Sequence, residues 1–192
     1  MPKVVDATEQ RHEIRSAARA VFAQRGVRGT GLAHVARAAG MGRSSLYHYY
    51  QDKDALLSDL VRETLADERA LFRACLRAPG DVIERVLKLV DANVALFDDW
   101  AAIGRMTVEL RLDDAKRFRR FFREVRAEFA EALREGQTRG EVAIDVHPEI
   151  AAATLIAAID GLLFQHFLDP SALPPDALRS ELRRIAERIL QP

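Results

Sequence analysis

Residues 30–53, TGLAHVARAAGMGRSSLYHYYQDK, constrain this chain more tightly than any other stretch. They hold two short runs at helical spacing with Gly40 between them, a distance that allows only a tight turn. Val35, Ala39, Leu46 and Tyr50 fall where they pack inward and fix the angle between the two helices. Ala36 is small where the second helix must cross the first. Gly40 stands where a β-carbon would be penalised in the left-handed region. A chain with this corner is committed to helix-on-helix packing at that point.

The rest of the sequence extends the same class. No strand pattern of any length occurs, and glycines and prolines fall mostly between helical stretches. A first helix is expected over residues 7–25, where Ile14, Ala17, Ala18, Val21 and Phe22 form one apolar stripe and Gly26 supplies the cap. Thr30 is expected to cap a second helix over 31–39, and a short third covers 43–50. Asp52 caps a long fourth, 53–77. After the Pro79-Gly80 joint come helices over 81–97, 100–112 and 113–139, then one opened by Pro148 and a last one begun by Pro174-Pro175-Asp176. About nine helices and no sheet predict an all-α fold, divided into a head of residues 1–53 and a body of residues 54–192.

Within the corner, Arg43, Ser44, Tyr47 and His48 share the face opposite the packing residues. That face offers a guanidinium for guanine or phosphate, a hydroxyl for bases or phosphates, and phenol and imidazole donors for a nucleic-acid backbone. The short helix also presents its first amides to an anion, and Lys53 stands just beyond it. Charge supports this assignment. Residues 1–53 carry nine Lys/Arg against four Asp/Glu, net +5, and the remainder carries 20 against 25. A basic head on an acidic body fits a polyanion reader.

These residues resemble the TetR family of bacterial transcriptional regulators. The resemblance runs over residues 14–57: the apolar helix ending AVFAQRG, Thr30, Val35-Ala36, Ala39-Gly40-Met41, and Leu46-Tyr47-x-Tyr49-Tyr50-x-x-Lys53-x-x-Leu56-Leu57. It implies a homodimer whose heads bind a palindromic double-stranded operator, and a helical body that binds a small effector releasing the DNA. It further implies that Thr30, Arg43, Ser44, Ser45, Tyr47, His48, Tyr49 and Lys53 occupy or flank DNA-contacting positions. The chain departs from the pattern at Gly31, Ala33, Gly42 and Tyr50, where the family often has threonine, a basic residue, a serine-like cap and phenylalanine. The lost hydroxyls imply fewer phosphate contacts from the first helix of the pair.

In the body, the stretch PEIAAATLIAAIDGLLFQHFL is apolar nearly all round, so it must be covered on several sides. Leu178, Leu182, Ile185 and Ile189 give the last helix one stripe. Two such helices meeting their copies make a four-helix dimer interface; packing inside one protomer is the alternative. Phe72, Asn93, Phe97, Trp100, Met106, Phe122 and Phe164 are the expected lining of an effector cavity, which suits an apolar or aromatic molecule. Asp160 is expected either in the dimer seam or facing a charged ligand.

No phosphate loop, HExxH or nucleophile elbow occurs, which argues against an enzyme. One cysteine and five scattered histidines offer no metal site, and no cofactor is expected. Without a signal-peptide-like start, and with polar breaks in the apolar run, a cytoplasmic protein with no membrane partner is expected. The competing reading is a helical interaction module or small-molecule-binding protein without DNA binding.

Overall fold

The computed structural model describes residues 7–96, 112–169 and 171–191. Every element among them is helical: α1 (Ala7–Arg25), α2 (Leu32–Ala38), α3 (Arg43–Tyr47), α4 (Lys53–Leu76), α5 (Val82–Ala95), α6 (Leu112–Thr138), α7 (Pro148–Leu168) and α8 (Pro175–Leu190). The helix expected over residues 100–112 lies almost wholly outside the described residues. The chain forms two compact units, and α4 passes from the first into the second between Thr64 and Leu65.

The first unit is built on the stripe Ile14, Ala18 and Phe22 of α1. These pack with Val27, Leu32, Val35, Ala36, Leu46, Tyr50, Leu56 and Leu60 in one core. Leu56 and Leu60 belong to α4, so the head extends past residue 53. Its charge changes accordingly: residues 1–64 carry ten Lys/Arg and seven Asp/Glu, net +3 rather than +5.

Gly40 closes α2 at φ +65°. The Met41 amide donates to Ala36 O at 3.0 Å and the Gly40 amide to Arg37 O at 3.2 Å, the two bonds of a Schellman cap. Asp52 caps α4 as expected, its carboxylate accepting from the Ala55 amide at 2.7 Å. Thr30 does not cap α2. That position is Gly31, because the Thr30 hydroxyl turns inward and donates to Gly26 O at 2.8 Å.

In the second unit, Val90 and Val94 of α5 pack with Ile159 of α7 and with Leu178 and Leu182 of α8. Arg183 of α8 adds an ion pair to Asp91 of α5 at 2.7 Å. Arg69 and Arg73 on α4 pair with Glu124 and Glu128 on α6. The α8 stripe is thus used inside the protomer. Its buried residues are Leu178, Leu182, Ala186 and Leu190, with Ile185 and Ile189 only half-buried.

Candidate functional site

Helix α3 has one buried side chain, Leu46, around which Arg43, Ser44, Ser45, Tyr47 and His48 are all exposed. The five-residue helix therefore presents most of its surface to solvent. Arg43 has a partner there: Nη2 donates to the Tyr47 hydroxyl at 3.3 Å, and its guanidinium lies 5.6 Å from the Tyr47 ring centroid. A paired guanidinium and phenol on one exposed face can reach a base edge and a phosphate together.

Three sequence-predicted residues stand apart from that face. Thr30 is 2% exposed with its hydroxyl bonded internally, so it is a structural residue with no surface for a phosphate. Tyr49 is half-buried under the guanidinium of Arg11, 5.8 Å from its ring centroid. Lys53 is half-buried, and its Nζ donates to Val27 O at 3.0 Å, tying the α1–α2 loop to the start of α4.

Sequence reasoning missed the ionic network behind this face. Asp59 on α4 accepts from the Tyr50 hydroxyl at 2.6 Å and from Arg15 of α1 at 3.2 Å; Arg62 pairs with its other oxygen. Burial pushes the Asp59 carboxyl up, but these donors outweigh it and hold it below its ordinary value. Tyr50 is the position where the resemblance leads one to expect phenylalanine, and its hydroxyl supplies a bond of the network that phenylalanine lacks. Glu63 takes Arg15 at 2.8 Å and Arg19 at 2.9 Å. Three of the head's arginines, Arg15, Arg19 and Arg62, are therefore held by its own acids.

Of the expected effector residues, Phe97, Trp100 and Met106 lie outside the described residues. Phe72 is buried. Asn93 is buried and donates to Leu89 O within its own helix. Phe122 packs edge-on against Phe121, with ring centroids 5.3 Å apart. Phe164 does not line an interior: it is 55% exposed, on the side of α7 turned away from α5 and α8.

A pair missed by sequence reasoning is Glu68 on α4 with Asp160 on α7. Neither carboxylate has a hydrogen-bond or ion-pair partner among the described residues. Burial and then repulsion from Asp160 push Glu68 up to about 8. Burial pushes Asp160 up to about 6. No spacing rule joins residues so far apart in sequence, so only the fold reveals the pair.

Comparison with known proteins decides the family. Residues 14–60 match the bacterial regulatory proteins of the tetR family, and residues 82–191 match the C-terminal region of BetI-type transcriptional repressors. The chain is 31% identical over 167 residues to the HTH-type transcriptional repressor AcnR of Corynebacterium jeikeium, covering 85% of each protein.

The chain belongs to the TetR family.

Among other TetR-family relatives, the regulator BetI of Cronobacter sakazakii is 29% identical over 175 residues, covering 84% of this chain and 81% of that protein. A transcriptional regulator from Saccharomonospora viridis, solved in complex with choline, shares the fold with a TM-score of 0.83 at 23% identity, covering 95% and 98% of the two chains. This TetR-family protein is a ligand-responsive, DNA-binding transcriptional regulator.

Proposed function

We propose that the protein is a homodimeric repressor that holds a palindromic operator through two α3 helices and leaves it when a small organic cation with an apolar body enters the second unit. The observation that carries the DNA contact set is the exposed face of α3. Arg43 is the base reader, Ser44, Ser45, Tyr47 and His48 meet bases or phosphates, and Tyr49 and Lys53 flank them. The ammonium of Lys53 keeps further donors for a phosphate beyond the one bonded to Val27.

Arg43→Ala should relax preference at one position of each half-site, by about 1–3 kcal/mol of discrimination. Tyr47→Ala should weaken every duplex alike. Mobility shifts on systematically varied duplexes separate these outcomes, and equal losses for both variants on every sequence would refute the division of roles.

The dimer reading is supported by α7. Ile150, Thr154, Ala157, Gly161, Phe164 and Leu168 follow spacings of four and three along one side, and all six are exposed. Ile150 is 63% and Leu168 65% exposed. The segment Pro148–His166 is long and apolar enough to cross a membrane, and only 28% of it is buried in the protomer. A second copy laid along the same stripe covers it, since a two-fold axis brings one patch against itself. Paired heads also fit two half-sites a helical turn apart.

The effector class follows from Glu68 and Asp160, two acids within one body that gain from a positive guest. Choline in the Saccharomonospora viridis relative and the BetI-type match support the same chemistry. The expectation of an apolar or aromatic effector is retained for the uncharged part of the molecule. At pH 8, choline should raise the melting temperature, and 3,3-dimethylbutan-1-ol, its uncharged counterpart in shape, should not. Equal shifts with both compounds, or none with choline, would remove the charge from the proposal.

A further inference from the structure

The five residues of α3 offer a single apolar pivot, Leu46. A one-turn helix held at one point is free to rock, and bidentate contacts with base edges tolerate little misalignment. The second anchor is Tyr50. Its amide donates to Leu46 O at 3.0 Å, so its backbone continues directly from the end of α3. The ring is 3% exposed within the head core, and its hydroxyl lies 2.6 Å from Asp59 Oδ2. Arg11 of α1 lies over the same ring, 5.1 Å from the centroid, and Arg15 of α1 reaches the same carboxylate. One acidic side chain thus joins α1, α4 and the exit of α3.

We propose that Tyr50 is a positioning residue for sequence reading, its hydroxyl fixing through Asp59 the angle at which α3 meets the major groove. The ring alone fills the core; the hydrogen bond adds direction. The residue touches no DNA. It acts on the contacts that need exact placement, those to base edges, and leaves charge attraction to phosphates unchanged. This inference rests on α3 being the base-reading helix.

The probe is the tightest duplex recovered from a random-sequence library with the wild-type protein, set against a random duplex of equal length. Tyr50→Phe keeps the ring and its packing. It should bind the selected duplex about tenfold more weakly and the random duplex within twofold of wild type. The slope of log affinity against log salt should not change, because no phosphate contact is lost. Asp59→Asn retains an oxygen that can accept from Tyr50, and should keep more of the discrimination between duplexes than Tyr50→Phe does. A Tyr50→Phe protein with a lowered melting temperature but wild-type discrimination would make Tyr50 a core residue only and overturn the proposal. Equal weakening on both duplexes would overturn it too, as would discrimination in Asp59→Asn no better than in Tyr50→Phe. If the wild-type protein enriches no duplex at all, the base-reading role of α3 fails and takes this inference with it; unchanged discrimination in the variant removes this inference alone.

Discussion

Gly161→Arg should convert the protein from a dimer to a folded monomer and weaken operator binding by about 10²- to 10⁴-fold, the range lost when two linked heads become one. A glycine within a helix costs roughly 1 kcal/mol relative to alanine. Among the described residues, a β-carbon at Gly161 would meet no atom within 4 Å beyond its own stretch of helix. An arginine there is therefore accommodated in the isolated chain. In the proposed dimer the same position lies in the middle of the stripe from Ile150 to Leu168, where the partner helix crosses closely, and a long charged side chain would be buried without a counter-charge. Light scattering coupled to size exclusion reads the oligomeric state, and circular dichroism reads the helix content. A variant that stays dimeric with wild-type operator affinity would move the interface off this face of α7. A wild-type protein that partitions into vesicles instead of dimerising would give the stripe to a lipid surface.

Glu68→Gln should flatten the pH dependence of stability. Folded Glu68 holds its proton up to about pH 8, whereas the ordinary value is 4.5. Between these values the folded state binds more protons than the unfolded one, so stability falls as pH rises. The contribution is fully present below 4.5 and is lost as pH passes through 8. Across that window it amounts to on the order of 3–5 kcal/mol. Asp160 adds a smaller loss of the same sign between 3.8 and about 6. Urea midpoints at pH 5 and pH 8 should therefore differ widely for the wild type, with pH 5 the more stable. In Glu68→Gln most of that difference disappears, because the amide has no charge to desolvate. Parallel pH profiles in the two proteins would show that Glu68 ionises without penalty, and would remove the physical reason for a cationic effector. If the acids receive a cation, added choline should restore stability chiefly at pH 8.

The parts of this protein legible in its sequence are those set by neighbours along the chain. Ile14, Ala18 and Phe22 repeat every four residues, and that repeat alone places them on the buried side of α1. The left-handed turn at Gly40 and the Asp52 cap depend on a few adjacent residues, and both form as expected. The exposed set on α3 follows from one fact, that Leu46 is its only large apolar residue between Arg43 and Tyr47 apart from the tyrosine itself. Thr30 shows where local reasoning stops. A threonine before a helix is an ordinary cap, yet its hydroxyl satisfies Gly26 O in the preceding loop instead.

The sequence by itself determined that this chain is helical and that a glycine-hinged corner shows a polar, partly basic face, because helical period and turn chemistry act over a few residues. Only the tertiary structure decided which side of α7 stays open, since a helix apolar nearly all round carries no periodic signal and the packing of α5 and α8 must choose. It likewise decided that Tyr50 bonds to Asp59 and that Glu68 lies within reach of the charge of Asp160. Electrostatic and hydrogen-bond energies depend on distance in space, and separation along the chain does not encode that distance.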